Sequence, residues 1–504
     1  MPMSPEPLSP RKLHIVIAGG GTAGWCAAAA LSQQLMPLAD ITLVESDALG
    51  TIGVGEASIP PMKAFHRLAG VDEQAFMRAT HATFKIGIQF EHWTRPGDSY
   101  IHSFGRLGKS AWMADFHHVW LHAKALGLDV KLDDYCLELK AALNGKFVLS
   151  DAMPLNYAYH LDATAYARFL RDLCAQRGVK RIEGLIEQVQ QHADSGHITH
   201  LVLENGQAIA GDFFIDCTGF RALLIGNTLK VAYEDWSRWL PANRAVAIQS
   251  ELNTPPMPYT RSIAREAGWQ WHIPLQHRAG NGLVYCSDYL SDEAAQDRLL
   301  HHLPGKPTSA LRKIPFQTGY RTEQWNKNCL SLGLSSGFLE PLESTSIYLM
   351  MIGITRFIKQ FPFDGIAQAT IDQFNTVSRE EFEHIRDFIF LHYYLNERQD
   401  SPYWADYRRR PVPESLQHRM DLFRTTGLAF PPSGDLFTVD SWVQVTLGQH
   451  LWPTSYHPIG RMVSDEHLIQ SLNNYKNTIT RQVDEMPHHA EFIAHYCAAD
   501  EQPM

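Results

Sequence analysis

The chain has 504 residues, 45% of them hydrophobic and 19% charged, which is ample apolar material for a large core and too little charge for a disordered polyelectrolyte. Its 44 Lys and Arg against 54 Asp and Glu leave a net charge of −10, so the chain repels polyanions and nucleic acid is not an expected partner. The seven cysteines are odd in number and stand at least 38 residues apart, so there is no Cys-x-x-Cys pair, no metal site is read, and a reducing cytoplasm is expected.

Residues 1–10 carry four prolines and are expected to be a disordered tail. Arg11-Lys12 followed by the uncharged run 15–31 imitates a signal peptide, but Gly19, Gly20, Gly21 and Gly24 would break a hydrophobic helix. No other stretch reaches the roughly 18 apolar residues of a membrane span. The run reads instead as a nucleotide-binding unit: residues 13–18 form a strand, 22–35 an Ala-rich helix, and 41–44 a second strand ending at Glu45. Gly19-Gly20-Gly21-Thr22-Ala23-Gly24 then fits the dinucleotide fingerprint. Gly19 supplies the tight turn, Gly21 lets the backbone approach a pyrophosphate, Gly24 packs helix on strand, and Thr22 and Ala23 open the helix whose amides bind phosphate. Glu45 is placed for a ribose hydroxyl and disfavours a 2′-phosphate, so FAD or NAD is preferred over NADP.

Between 84 and 90 apolar residues alternate with Lys85, Gly87 and Gln89, predicting one half-buried strand whose polar, solvated face carries Lys85. A helix is expected over 163–177, stopped by Gly178. Asn205-Gly206 predicts a tight hairpin between 201–203 and 213–215, ending at Asp216-Cys217-Thr218-Gly219. Trp269 and Trp271 share one strand face, and that spacing alone suits core packing. From 362 to 402 Phe382, Ile385, Ile389 and His392 recur at helical spacing, and the last quarter reads as mainly helical. His117-His118 and Arg408-Arg409-Arg410 read as surface.

The hairpin running into Asp216-Cys217-Thr218-Gly219 is similar to the second flavin motif of the glutathione-reductase-like FAD superfamily, which favours FAD. Gly268-Trp269-Gln270-Trp271-His272-Ile273-Pro274 resembles the Trp-x-Trp-x-Ile-Pro motif of flavin-dependent halogenases. Gly53-Val54-Gly55-Glu56-Ala57-Ser58-Ile59-Pro60, the lysine strand, and Gly337-Phe338-Leu339-Glu340-Pro341-Leu342-Glu343-Ser344-Thr345 agree with it. Over residues 15–350 the chain is thus similar to the tryptophan-halogenase family.

That resemblance implies an α/β fold with a glutathione-reductase-like FAD domain from 11–83, 161–230 and 311–365. A mixed substrate domain would take 84–160 and 231–310, and the helical region 366–504 would cover the substrate site. It implies Lys85 and Glu343 as catalytic residues, Thr345 and Ser346 at the halide, Ala57, Leu334 and Ile347 against the flavin, and Trp269 and Trp271 as a screen between flavin and substrate. His102, Phe104 and Trp442 are implied at the aromatic substrate, with His102 given no proton-transfer role. The family usually has glycine where this chain has Ser346, and a loop needing positive φ there predicts strain.

The implied chemistry is FADH₂- and O₂-dependent oxidation of chloride or bromide to hypohalous acid, which Lys85, favoured as an ammonium, positions against the ring while Glu343 takes the ring proton. With no nicotinamide fingerprint in the chain, the implied partners are a separate flavin reductase and a small aromatic substrate, with a homodimer as one option. Residues 425–440 contain no tyrosine to hold an amino acid's charged ends, so an indole-type ring is expected over tryptophan. The alternatives weighed are an aromatic hydroxylase and a non-catalytic FAD-binding sensor.

Overall fold

The structure, a computed structural model, describes residues 12–49, 55–431 and 434–499. The expected tail 1–10, Gly53-Val54 of the second motif and Pro432-Ser433 lie outside the described residues. Four consecutive residues of the strand Leu13–Ala18, from Ile15 to Ala18, are fully buried, as a parallel strand covered on both faces must be. It lies between Phe213–Asp216 and Ala39–Glu45 in a six-stranded sheet, which Cys329–Ser331 and Trp325–Asn326 extend on one side and Lys180–Glu183 on the other. Only Trp325–Asn326 runs antiparallel. The helix Thr22–Leu35 packs against Ala163–Gln176 and Ser346–Lys359. Its run Ala27, Ala28, Ala29 and Ala30 is fully buried, and these small side chains let three helices approach one another without overpacking.

The Asn205-Gly206 turn is present but joins a different pair. It links Ile198–Leu203 to Ala208–Ala210, with Gly206 at φ 81°, whereas Phe213–Asp216 leaves the hairpin for the parallel sheet. Four consecutive buried residues there outweigh the turn signal.

A seven-stranded sheet runs in the order Arg312–Pro315, Arg244–Ser250, Ala279–Tyr285, Gly268–Pro274, Thr260–Arg265, Gly87–Glu91, Ser99–Ser103. Arg312–Pro315 therefore pairs here, although the sequence groups residues from 311 with the nucleotide unit. The expected single strand over 84–90 is two. Thr83–Lys85 pairs with Ala158–Asp162, which also holds Gly55–Ala57, while Gly87–Glu91 joins the seven-stranded sheet. Residues 82–88 are all buried, so Lys85 does not lie on a solvated face: Ser58, Ser344 and Phe104 enclose its ammonium end.

The helix Gln368–Tyr394 has 27 residues and buries Phe382, Ile385, Ile389 and His392 as the periodicity requires. Pro402–Tyr407, Glu414–Thr426, Val439–Gly448, Asp465–Glu485 and His489–Tyr496 complete the helical C-terminal region. His117 and His118 are not surface residues. His117 Nε2 donates to the Gly427 carbonyl at 2.7 Å and His118 Nδ1 accepts the His457 amide at 3.1 Å, tying the helix Phe116–Ala125 to the C-terminal region. Of the three arginines, Arg408 and Arg409 are exposed, and half-buried Arg410 donates to the carbonyls of Ser237 and Arg238.

Candidate active site

A cavity of about 700 Å³ opens where the parallel strands end, lined by Gly19, Gly21, Thr22, Ala23, Glu45 and Cys217 among others. This is where an open α/β sheet leaves room for a ligand. A Cβ on Gly21 would meet no atom within 4 Å, so its backbone faces the open cavity. A Cβ on Gly24 would lie 1.9 Å from the Gly19 carbonyl, and Gly19 itself has φ 106°. The helix Thr22–Leu35 begins without a side-chain cap, leaving its first amides for an anion. The residues therefore fit a dinucleotide with its pyrophosphate on this turn. Glu45 is already engaged: Arg181 Nε donates to Oε1 at 2.5 Å and Trp25 Nε1 to Oε2 at 3.3 Å. Arg181 carries no sequence signal because it sits on the edge strand and acts only through the fold.

Ala57 and Leu334 line the same cavity, whereas Ile347 is buried within its helix and is not among the lining residues. Trp269 and Trp271 also line it, 6.1 Å apart on one face of Gly268–Pro274. A Cβ on Gly282 of the neighbouring strand would fall 2.0 Å from the Trp271 ring, so that glycine makes the space the indole fills.

At its far end the cavity reaches Ser344 and Ser346. Lys85 Nζ donates to Ser344 Oγ at 2.7 Å and to the Ser58 carbonyl at 3.1 Å, and lies 5.3 Å from the centre of the Phe104 ring. Burial pulls its pKa down to about 7, against the upward pull of Glu343. Burial thus moves the lysine toward its neutral form, while the Glu343 carboxylate supports the expected ammonium. The positive φ foreseen at Ser346 is found two residues earlier, at Ser344 with φ 59°. Ser346 is the first residue of the helix Ser346–Lys359 and carries no such strain. Thr345 precedes that helix, fully buried, with its hydroxyl unpaired.

Glu343, adjacent to Ser344, engages different partners. His102 Nδ1 donates to Oε2 at 2.9 Å, and His392 Nε2 lies 2.7 Å from Oε1. Burial alone would raise this carboxyl, but the two imidazoles outweigh it and hold it at about 2, an anion. Beyond His102 lies an aromatic group. Phe388 and Phe437 stack at 3.7 Å, Trp442 meets Phe388 edge-on at 4.9 Å, and Arg419 sits over the Trp442 ring. The resemblance names His102, Phe104 and Trp442, and it does not supply Phe388, Phe437 or His392. The last two stand on segments whose spacing reports a buried helix face or a loop and nothing more.

The sequence profile of the tryptophan halogenase family matches residues 14–465. The tryptophan 7-halogenase of Lentzea aerocolonigenes is 34% identical over 445 residues, 84% of this chain and 83% of that protein. The tryptophan 6-halogenase of Streptomyces toxytricini is 33% identical over 455 residues, 84% and 85% of the two chains. The chain belongs to the tryptophan halogenase family. Among solved structures, a flavin-dependent halogenase from Xanthomonas campestris is 50% identical with a TM-score of 0.96, over 98% of this chain and 100% of that one. The protein is thus a flavin-dependent halogenase with the α/β FAD-binding fold of its relatives. Among the described residues no helix is long and apolar enough to cross a membrane, and no cluster of three or more His, Cys, Asp or Glu could hold a metal.

Proposed function

We propose that this halogenase places chlorine or bromine on a small, electron-rich aromatic ring of the indole type. The carrying observation is the turn at residues 341–345. Ser344 looks into the dinucleotide cavity and binds Lys85, while Glu343 beside it reaches the histidines and the aromatic group. Oxidant generation and ring chemistry thereby have separate compartments joined at Lys85. FAD, reduced when bound and using O₂, supplies the oxidation of halide to hypohalous acid.

Lys85 as ammonium donates a hydrogen bond to the hypohalous oxygen and so polarises the halogen toward the ring. Glu343, which His102 and His392 hold well below the usual carboxylate range, accepts the proton the ring must lose. Trp269 and Trp271 wall the flavin side and keep the ring away from it. The amides of Thr345 and Ser346, at the start of a helix with no side-chain cap, suit a halide. Gly19, Gly21, Thr22, Ala23, Gly24 and Glu45 take the dinucleotide, with Ala57 and Leu334 against its ring system. His102, Phe104 and Trp442 take the substrate ring. We assign the FAD domain, substrate domain and helical cover to the segments given above, with Arg312–Pro315 passing to the substrate sheet. A separate reductase delivers FADH₂, and seven buried, unpaired cysteines fit a reducing cytoplasm.

Indole is preferred to tryptophan on electrostatic grounds. The cation beside Trp442 is Arg419, and it is already paired with Asp435 at 3.3 Å, which offsets the charge it could offer a carboxylate. Burying an unpaired zwitterion costs several kcal/mol. With FAD, a reductase and bromide or chloride, mass spectrometry of an aromatic panel should show halogenated products. Equal indole and tryptophan in competition should give the higher kcat/KM for indole, and the reverse order would remove this argument.

A further inference from the structure

The strand Ser99–Ser103 is the last of the seven-stranded sheet and pairs on one side only, with Gly87–Glu91. On its other edge no strand among the described residues takes up the backbone groups, and the helix Val439–Gly448 lies there instead. At Ser103 a side chain of that helix stands in for a neighbouring strand. Gln444 Oε1 accepts from the Ser103 amide at 2.9 Å and Gln444 Nε2 donates to the Ser103 carbonyl at 3.3 Å, so one side-chain amide pairs both backbone groups of one residue. The Ser103 hydroxyl donates to the same Oε1 at 2.8 Å. Both residues are buried, and water does not compete for these bonds. Gln444 lies between Val443 and Val445, which are fully buried, and a polar side chain in such a place calls for a partner. Two further ties give the direction. Asp440 Oδ1 accepts from the Leu107 amide at 3.2 Å, and Gly448 lies on Tyr100, where a Cβ would come within 2.6 Å of the ring. As the helix advances from 440 through 444 to 448 its partners retreat from 107 through 103 to 100, so helix and strand run in opposite directions in a fixed register. Gln449, just past the helix, donates Nε2 to the His392 carbonyl at 2.9 Å and joins it to the helix that carries Phe388.

We infer that Gln444 is a positioning residue for the aromatic substrate: by completing the strand edge at Ser103 it sets Trp442 against His102 and Phe104, and so fixes where the ring sits. The inference rests on the reading of those three side chains as walls of the ring site. Ser103 stands between two of the walls in sequence, and Trp442 stands two positions before Gln444 on the helix. One contact between residues 341 positions apart therefore indexes all three. Opposed hydrogen bonds to one residue fix a position along a strand, whereas apolar contact is non-directional and lets surfaces slide. By strand alternation Ser103 turns its side chain away from that of His102, so it can be held without anything entering the ring site. The remaining backbone bonds of this segment point elsewhere. The Phe104 amide donates to the Ile86 carbonyl at 3.0 Å and Asn156 Nδ2 to the Phe104 carbonyl at 3.0 Å, which ties Phe104 to the lysine segment and not to Trp442. Gln444 is not among the residues lining the dinucleotide cavity, so its loss should spare flavin binding.

The test uses the full-length enzyme with FAD, a reductase, bromide and indole. Gln444→Met keeps the side-chain length and removes every hydrogen bond to Ser103. Its KM for indole should rise roughly 5- to 30-fold, with kcat within about twofold of wild type and FAD titration unchanged. The proportions of the ring positions brominated should shift with it, which lost stability alone would not cause. Ser103→Ala keeps both backbone bonds and should hold KM within about twofold. Once Trp442→Ala has removed one wall, Gln444→Met should add little to KM. Gln444→Glu keeps the acceptor but sets a carboxylate against the Ser103 carbonyl, so it should raise KM in the same direction and decides the matter if the methionine variant does not fold. A folded Gln444→Met or Gln444→Glu enzyme with wild-type KM and product proportions overturns the positioning role, as does a loss confined to kcat. A Trp442→Ala enzyme with wild-type KM would instead overturn the reading of the walls beneath it.

Discussion

Ser344 joins the two halves of the site through a backbone conformation that L side chains avoid. Held at φ 59°, it spends roughly 1 kcal/mol of left-handed strain to aim its hydroxyl at Lys85. Ser344→Gly should therefore fold as well as wild type or better, by thermal melting, yet halogenate more slowly. Ser344→Ala keeps the strain, loses the same hydrogen bond, and should be the less stable of the two. Lys85→Met should abolish halogenation while FAD titration stays unchanged, a larger loss than the ~10²–10⁴-fold expected of Glu343→Gln. The lysine also leaves a mark on stability. Unfolded it keeps its proton to about pH 10.5, and folded it releases it near 7, so between those values the unfolded chain binds more protons and stability rises with pH. Comparing melting temperatures at pH 7 and pH 9 should show that rise in wild type and a smaller one in Lys85→Met. Halogenation should move the opposite way, falling above about pH 7 as the ammonium is lost.

At the scale of elements, the nucleotide turn offers a clean separation of folding from binding. Gly21→Ala places a methyl in open cavity, so the melting temperature should hold while FAD affinity drops. Gly24→Ala drives a methyl into the Gly19 carbonyl and should lower both. The strand–helix–strand unit was legible because glycine spacing and apolar runs are local signals. The burial of Lys85 is not legible because alternation reports one covered face, and nothing local says that Ser58 and Ser344, 27 and 259 residues away, cover the other. The histidine pair at 117 and 118 escaped for the same reason, since its partners Gly427 and His457 lie over 300 residues away. Glu343 could be named from its motif, but its anionic state follows from His102 and His392, which only the folded chain brings together.

On the proposed reading the whole molecule divides oxidation from ring chemistry at one turn, and isolated enzyme given NADH should do neither. Adding a flavin reductase or chemically reduced FAD should restore turnover, measured as halogenated product. Sustained NADH consumption by the chain alone would contradict an external electron source. The meeting of Lys85 with Ser344 spans 259 residues of sequence, and that of His102 with Glu343 spans 241. A chain leaving the ribosome therefore completes its dinucleotide fingerprint long before the turn at 341–345 exists. Contacts this remote close late and slowly. A product truncated before that turn lacks Ser344 and Glu343, and with them the partners of Lys85 and His102. The residues proposed to direct the oxidant therefore meet only after two thirds of the chain has been made.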